Sequence, residues 1–316
     1  MTFLEFKGSF ERKVVSEFIE YQDRDVLVSV CVFTFNHAAY IRSCLNGILR
    51  QRVNFDFELL IGEDNSTDGT REICIEYAER YPDKIRLFLH HDENKIKIGR
   101  QPTGRFNFIY SLFSAKGEYL AICDGDDFWT DSSKLQKQID RMLSDREISM
   151  SFHNAKESID GISKRMISIG DTGYVNPKSI VEKQYRIPTL SMVFKRNIIK
   201  DFDLVVKVRS GDRYLEIASI GAGKCFYFKD IMGVKRTLHS GLLKRWKAHR
   251  LDSVAQKYES NALLLNIVPS FYRTYMHRYL FEVCLNALGF INFRSTRFLP
   301  LAVKHFILSL RFSLRH

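Results

Sequence analysis

Three aspartates, Asp124, Asp126 and Asp127, follow directly on a short apolar run near the middle of the sequence. Carboxylates this close together repel one another, and the repulsion raises their pKa values. A divalent cation that prefers oxygen ligands would remove that repulsion. Gly125, between the first two aspartates, allows a sharp turn or the close approach of a ligand. The pattern predicts a metal site, and a loop with helix-capping aspartates is the alternative that this motif alone leaves open.

The apolar run before these aspartates, Tyr119–Cys123, has the length and the lack of alternation that are typical of a strand buried on both faces of a parallel sheet. Two earlier runs, Val26–Phe33 and Phe57–Gly62, also read as buried strands. Helical patterns alternate with the strands, which predicts right-handed βαβ units. Ligands of such sheets bind at the carboxyl ends of the strands. We therefore expect one site at residues 34–37, 63–68 and 124–127.

The rest of the chain is predicted from the same patterns. A short helix is expected near Glu11–Tyr21, and Thr70 is expected to cap the helix Arg71–Arg80. Strands are expected at Lys224–Phe228 and Ile231–Lys235. The remaining predicted helices are Tyr40–Arg50, Arg105–Ala115, Lys134–Leu143, Asp212–Ala218, Leu243–Ile267, Phe271–Leu288 and Pro300–Leu314, and the remaining predicted strands are Ile85–His90 and Ile148–His153.

Five segments resemble, in the expected order, the motifs of the family 2 glycosyltransferases of the GT-A fold. They read VSVCVFTFNH, FELLIGEDNSTDGT, AKGEYLAICDGDDFWT, RSGDRYLEIA and KRTLHSGL. One position departs from the family pattern, because Glu63 stands where Asp is common. The resemblance implies an α/β chain with a GT-A (Rossmann-like), mainly parallel central sheet flanked by helices. It covers residues 1–241, and we predict a separate C-terminal helical extension at 242–316.

The resemblance also implies roles for single residues. Asp212 would be the general base for an acceptor hydroxyl, and an N-cap of the following helix is the alternative role for this residue. Asp64 would accept a hydrogen bond from the nucleotide base. The residues implied at the nucleotide sugar are Thr34, Phe35, Asn36, Glu63, Asp64, Asp124 and Gly125. The residues implied at Mn²⁺ or Mg²⁺ are Asp124, Asp126 and His239.

Several neighbouring residues have a simpler structural interpretation. Asn65 and Asp68 are predicted to be turn and capping residues, and Asp127 is predicted to orient its neighbours or to cap the next turn. His239 considered alone fits an ordinary loop histidine. Four basic residues could meet phosphate, although a solvated charged loop is the commoner arrangement: Lys95, Lys97, Arg100 and Arg105.

Together these roles predict a metal-dependent, inverting glycosyltransferase of the hexosyltransferase type. Its donor would be a nucleotide sugar, by preference a UDP-sugar, and its acceptor a saccharide or a lipid-linked saccharide in bacterial-type surface polysaccharide or glycolipid assembly. One alternative is a phosphatase of the haloacid dehalogenase type, since an apolar strand that ends in DxD also describes that nucleophile. That motif usually opens the chain, whereas here three predicted strands precede it. The other alternative is a non-catalytic protein on a transferase fold that binds a membrane surface or a partner.

The positive charge is concentrated at the end of the sequence. The net charge is +11, and residues 241–316 hold twelve Lys and Arg against three acids. In the last segment Lys304, Leu308, Arg311 and Arg315 share one helical face, which is typical of a helix that lies on an anionic membrane. The alternative is a helical cap on the core with a solvated basic face. No recognised nucleic-acid motif accompanies the charge, so nucleic acid is not an expected partner.

Nothing in the sequence predicts export or a membrane span. The first twenty residues mix charges throughout, unlike a signal peptide. No apolar run approaches the ~20 residues of a transmembrane helix. The six cysteines are scattered and form neither a CxxC nor a Cys/His cluster, which favours reduced, buried side chains. We expect a cytoplasmic protein, peripheral at the inner face of the membrane if the C-terminal segment binds lipid.

Overall fold

The computed structural model describes residues 1–18, 24–98, 101–159, 161–237, 250–288 and 298–313. Its strands are β1 Ser16–Phe18, β2 Val28–Thr34, β3 Phe57–Glu63, β4 Ile85–Leu89, β5 Lys97–Ile98, β6 Gln101–Pro102, β7 Tyr119–Asp124, β8 Phe128–Trp129, β9 Ile148–Ile159, β10 Ile162–Arg165, β11 Gly173–Val175, β12 Val193–Lys195 and β13 Lys224–Arg236. Its α-helices are α1 Phe3–Phe10, α2 Ile41–Leu49, α3 Thr70–Arg80, α4 Arg105–Ser114, α5 Lys134–Ser144, α6 Pro177–Val181, α7 Phe202–Lys207, α8 Gly211–Ala222, α9 Arg250–Leu264, α10 Arg273–Leu288 and α11 Phe298–Ser313.

A mixed sheet forms the centre of the molecule, with the strand order β1-β4-β3-β2-β7-β12-β9-β13-β11. The strands β4, β3, β2 and β7 run parallel to one another, as the sequence predicts. The short strand β12 lies antiparallel between β7 and β9, and β9 runs parallel to β13. The predicted α/β architecture with a mainly parallel sheet is therefore confirmed.

The central strands are buried on both faces because helices cover both sides of the sheet. On β2, Val28, Val30 and Val32 face one cluster, which also contains apolar residues of α2, α3 and α5. Cys31 faces the other cluster, which contains residues of α1, α4, α8, α9 and α10. Such burial explains why the strand sequences are continuous apolar runs.

The N-terminal prediction is wrong. The helix lies at Phe3–Phe10, ahead of the predicted Glu11–Tyr21, because Thr2 and Glu5 form a capping box that starts it there. Ser16–Phe18 is instead an edge strand that pairs antiparallel with β4. Residues 19–21 of the predicted helix lie outside the described residues.

The two predicted strands after residue 223 form one long strand, β13. Its parallel pairing with β9 is interrupted by register shifts between Phe228 and Ile231 and between Ile231 and Val234. Such irregularities bend a strand. Beyond them β13 also pairs antiparallel with β8, which follows the three aspartates. This pairing brings the end of β13 to the predicted site.

The C-terminal helices pack on the sheet domain, as the described parts of α9 and α10 show. Leu264 of α9 and Met276 and Leu280 of α10 belong to the same buried cluster as α8. The helix α11 lies on α10, where His277 Nδ1 and His305 Nδ1 are 2.8 Å apart. Within the described residues, no helix is both long enough and apolar enough to span a membrane.

Candidate functional site

The carboxyl ends of β2, β3 and β7 lie side by side at one edge of the sheet. Thr34 is the register partner of Glu63, and Phe33 is the register partner of Asp124. The three polar segments that follow these strands are therefore neighbours in space, as the sequence predicts.

The segments after β2 and β3 are joined by hydrogen bonds. The Asn36 amide donates to Ser66 Oγ at 2.9 Å, and the Thr67 amide donates to Asn36 Oδ1 at 2.9 Å. Asn36 has a φ of 54°, in the left-handed region that asparagine tolerates better than most residues. The structure thus gives Asn36 a role in holding the two loops together.

Asp68 is a turn residue, in agreement with its structural interpretation. It accepts hydrogen bonds from the amides of Ala38 at 3.0 Å and Thr70 at 3.1 Å. The predicted cap is displaced by one residue, because helix α3 begins at Thr70 and its N-cap is Gly69, with a φ of 96°. A left-handed backbone at that position favours glycine.

The two acids at the end of β3 have different environments. Glu63 is fully buried, and its oxygens accept hydrogen bonds from the Ser66 amide and from Arg71 Nε. Glu63 is therefore engaged in supporting the loop. Burial raises the pKa of Asp64 to about 7, against the opposing effect of the nearby Lys95 ammonium. Asp64 is the acid of this pair that a ligand could use.

Lys95 lies in the same pocket as Asp64 and Phe35. Its Nζ is 3.9 Å from the Phe35 ring centroid, 3.8 Å from Asp64 Oδ2 and 2.7 Å from Asp92 Oδ1. Only 12% of the Lys95 side chain is exposed. The interpretation of Lys95 as part of a solvated loop is wrong, since the ammonium covers an aromatic face beside a buried acid. No local pattern distinguishes it from the other basic residues of that loop.

Gly125 makes the turn after β7 possible. Its amide donates to the Phe33 carbonyl at 2.8 Å. A Cβ at this position would lie 2.5 Å from Thr34 Oγ1 and 2.9 Å from His37 Nδ1. Only glycine fits this close approach. The turn Asp124–Asp127, called the acidic turn below, is therefore packed directly against the loop after β2.

The acidic turn, Asp124–Asp127, contains two carboxyl groups whose pKa values are raised. Burial, and then the neighbouring Asp126 carboxylate, raises the pKa of Asp124 to about 6. Burial also raises the pKa of Asp127 well above its usual value, and Asp127 Oδ2 is buried without a hydrogen-bond partner among the described residues. The turn thus carries hard oxygen donors whose repulsion a divalent cation would relieve, so Asp124 and Asp126 fit the predicted metal. His239 lies outside the described residues, and those residues contain no group of three or more His, Cys, Asp or Glu side chains that could hold a metal.

The end of β13 covers the acidic turn. The Arg236 amide donates to Asp127 Oδ1 at 2.8 Å, and Arg236 Nη1 donates to the Asp126 carbonyl at 2.7 Å. The neighbouring Lys235 is the cation whose charge lowers the pKa values of Asp124 and Asp127. Asp127 orients its neighbours, as predicted, by fixing β13. The roles of Lys235 and Arg236 were not predicted, although both residues open the segment KRTLHSGL.

Asp212 lies in the first turn of α8. The N-cap of this helix is Ser210, so Asp212 is not the cap residue. Its Oδ1 accepts hydrogen bonds from Ser210 Oγ and, at 2.8 Å, from the Arg213 amide. Burial acts to raise the pKa of Asp212, but Lys183 and these hydrogen bonds outweigh it, and the pKa lies below its ordinary value. Asp212 is therefore held ionised, as a general base must be.

Asp212 also belongs to the same electrostatic environment as the acidic turn. Its charge raises the pKa of Asp124, and the Lys235 ammonium acts on both carboxylates. The structure thus brings together the acids that the sequence placed 88 residues apart.

The model of the family described as "Glycosyl transferase family 2" matches residues 29–202. A protein of Mycobacterium tuberculosis is 31% identical over 217 residues, which cover 68% of this chain and 60% of that relative. The matched region thus spans less than two thirds of that relative. A putative teichuronic acid biosynthesis glycosyltransferase of Bacillus subtilis is 32% identical over 126 residues, or 40% of this chain and 45% of that protein.

Among solved structures, S. aureus TarS in complex with UDP-GlcNAc superposes with a TM-score of 0.62 and 16% identity. The likeness covers 90% of this chain and 81% of that chain. It reaches well beyond residue 202, where the family match ends. At this level of identity it concerns the fold, and it confirms the predicted GT-A architecture.

Proposed function

Since this chain belongs to glycosyl transferase family 2, we propose that it moves a sugar from a nucleotide-sugar donor, by preference a UDP-sugar, to an acceptor hydroxyl. The observation that carries the proposal is the grouping of a base pocket, an acidic turn and an ionised aspartate at one edge of the sheet. Family membership also speaks against the phosphatase alternative. TarS, which shares the fold, binds UDP-GlcNAc.

The nucleotide base would lie on Phe35. The Lys95 ammonium lies over this ring in the structure. Asp64 lies beside the ammonium and would accept a hydrogen bond from the base. A base that takes this place displaces Lys95 toward Asp92, with which it is already paired. Thr34 and Asn36 would border the pocket. Glu63 supports the loop after β3 by accepting a hydrogen bond from the Ser66 amide.

The diphosphate would lie at the turn Asp124–Asp127. Asp124 and Asp126 would hold Mg²⁺ or Mn²⁺, together with His239. Such a cation, when bound, stabilises negative charge on the leaving diphosphate. Gly125 leaves room for the turn to approach the donor, and Arg236 holds the turn in place through its contacts with Asp126 and Asp127.

Asp212 would act on the acceptor. It removes the proton from the acceptor hydroxyl, whose oxygen forms a bond to the anomeric carbon of the donor sugar. The bond between that carbon and the diphosphate oxygen breaks, and its electron pair leaves with the diphosphate. This single displacement inverts the anomeric centre and needs no second carboxylate as a nucleophile.

The proposal is tested by thermal unfolding with a panel of nucleoside diphosphates and nucleotide sugars. A ligand that binds only the folded state raises the unfolding midpoint. We expect a shift with UDP and Mn²⁺, and a UDP affinity about 5- to 160-fold lower in Phe35→Ala, because stacking of a base on an aromatic ring is worth about 1–3 kcal/mol. Phe35→Tyr is the matched control, since it keeps the ring. The absence of a shift with every nucleotide would contradict the proposal.

A surface polysaccharide or a glycolipid is the proposed acceptor, which agrees with the teichuronic acid biosynthesis for which the Bacillus relative is named. A lipid-linked acceptor would require the enzyme to approach a membrane. On α11, the apolar side chains of Val303, Phe306 and Ile307 are 49%, 46% and 44% exposed. They are spaced i, i+3 and i+4, so they lie on one helical face, and Lys304 is exposed beside them. We propose that this stripe rests on an anionic membrane surface.

The double variant Val303→Glu, Ile307→Glu is expected to reduce binding to anionic vesicles by at least tenfold, because burial of each such side chain is worth about 1.5–3 kcal/mol. Co-sedimentation with vesicles of phosphatidylglycerol and phosphatidylcholine measures the effect. Ile162→Glu is the control, since Ile162 is also exposed but lies on β10. Equal binding of wild type and double variant would show that the stripe does not contact lipid.

A further inference from the structure

Arg213 is a buried arginine that directly follows Asp212. Its side chain is 1% exposed. It donates from Nη1 to the Ile180 carbonyl at 2.7 Å, from Nη2 to the Val181 carbonyl at 2.6 Å, and from Nε to Asn261 Oδ1 at 3.2 Å. Nη1 also contacts Glu216 Oε2 at 2.7 Å. A guanidinium held in this way has little freedom to move, because its planar fork is fixed on several sides.

These contacts join four helices at one point. Ile180 and Val181 end α6, Asn261 lies on α9, and Arg213 itself lies on α8. The guanidinium also lies over the ring of Tyr279, on α10, at 5.5 Å from its centroid. A second bond supports the arrangement, since the Arg209 amide, just before α8, donates to Ser260 Oγ on α9 at 2.9 Å. The first turn of α8 is thus fixed against helices that lie after residue 250.

Lys183 follows α6 by two residues and is the cation that contributes most to keeping Asp212 ionised. Lys183 has a φ of 55°, in the left-handed region, and its amide donates to the Ile180 carbonyl at 3.1 Å. The same carbonyl accepts from Arg213. Arg213 therefore contacts the segment that positions Lys183, while its own amide donates to Asp212 Oδ1.

We propose that Arg213 is a positioning residue. It holds Asp212 and Lys183 at fixed positions relative to each other by clamping the end of α6 to α9 and α10. The C-terminal helices then complete the acceptor side of the active site. The family match ends at residue 202, before Arg213, Asn261 and Tyr279. The inference rests on the proposed role of Asp212 as the general base.

Other charges also act on Asp212, and they limit the size of the effect. Arg105 of α4, Lys235 of β13 and Asp124 of β7 all interact with its carboxylate. Arg105 is buried close to the start of α8, where a Cβ at Gly211 would lie 2.9 Å from its Nη1. Loss of Lys183 therefore leaves two cations near Asp212 and should shift its titration without abolishing its ionisation.

Lys183→Gly tests the electrostatic part. Glycine adopts a φ of 55° without strain, so the variant is expected to unfold at the same temperature as the wild type or higher. Removal of a nearby cation disfavours the carboxylate, so the acidic limb of the kcat profile, measured at saturating donor and Mn²⁺, should move to higher pH. Lys207→Ala, at an exposed lysine of α7, is the control and should leave the profile unchanged.

Arg213→Lys and Asn261→Leu test the clamp. Lysine cannot replace the planar fork, and leucine removes the acceptor of Arg213 Nε. We expect kcat to fall by about ten- to hundredfold, as for a displaced catalytic group. The shift of the unfolding midpoint by UDP and Mn²⁺ should be retained in both variants, because the donor contacts lie elsewhere.

Two outcomes separate the possible failures. If Arg213→Lys and Asn261→Leu lower the unfolding midpoint but keep the wild-type kcat and pH profile, Arg213 is only a structural residue and the inference is overturned. If the wild type itself shows no shift with any nucleotide, the proposed function fails, and the inference fails with it.

Discussion

Asp212→Asn is expected to reduce kcat by about 10²–10⁴-fold, the usual contribution of a general base. The asparagine keeps the shape of the side chain and an oxygen that can accept from the Arg213 amide, but it cannot remove a proton from the acceptor. Binding of the nucleotide should be retained, because the proposed role of Asp212 is to act on the acceptor. Steady-state transfer assays measure kcat, and the thermal shift with UDP and Mn²⁺ measures donor binding.

The pH profile gives a second view of the same residue. A general base works in its deprotonated form, so activity is lost as the pH falls through its pKa. Because the pKa of Asp212 is held below its ordinary value, kcat at saturating donor and Mn²⁺ should remain constant to a lower pH than an ordinary aspartate would allow. Asp230→Asn, at an exposed residue of β13, is the matched control. Wild-type kcat in Asp212→Asn would exclude this residue as the base.

Asp126→Asn is expected to weaken metal-dependent nucleotide binding by at least ~100-fold, since loss of a ligand should cost more than loss of the residues that support one. The unfolding midpoint with UDP should then no longer respond to Mn²⁺. The effect of this substitution on the stability of the protein without ligands has the opposite sign. Asp126 raises the pKa of the half-buried Asp124, so removal of its charge relieves repulsion and should leave the free protein at least as stable as wild type.

This combination separates a metal site from a structural turn. A capping aspartate that is replaced by asparagine leaves metal dependence unchanged. Asp140→Asn, at an exposed residue of α5, controls for the loss of a negative charge. A Mn²⁺-dependent shift of wild-type size in Asp126→Asn would contradict the proposed metal role of this residue.

The position of Lys95 beside Phe35 and Asp64 should influence the affinity for the donor. In the structure the Lys95 ammonium lies over Phe35 and 3.8 Å from Asp64 Oδ2. If the base binds on Phe35 as proposed, donor binding includes the cost of moving this cation from an aromatic face and a buried acid. Interactions of this kind are worth about 0.5–2 kcal/mol, so they influence affinity without preventing binding.

The C-terminal segment has a different place from the one that its charge suggests. The sequence predicts a basic helical extension after residue 241, and the described residues of this segment do form helices. Their inner faces, however, belong to the same core as α8 and contact the residue next to Asp212. The boundary at 241 remains a prediction, and the exposed stripe on α11 remains the surface proposed for lipid.

What the sequence alone determined is the central sheet and its polar edge. The strands β2, β3 and β7 lie within a few residues of their predicted bounds, because a strand buried on both faces requires an apolar run and ends where polar residues begin. The order of motifs was sufficient to identify the family, which the family model confirms. These features depend on residues that are close to one another in the sequence, so local sequence patterns predict them.

Only the tertiary structure decided how distant segments complete the site. The pairing of β8 with β13 places Arg236 on Asp126 and Asp127, 110 and 109 residues away in sequence. The clamp of Arg213 reaches Asn261, 48 residues further on, and Lys95 reaches Phe35 although two strands and two α-helices lie between them in the sequence. Each of these contacts depends on how whole elements pack against one another, and a lysine or arginine has the same local sequence pattern whether it is solvated or buried against an acid.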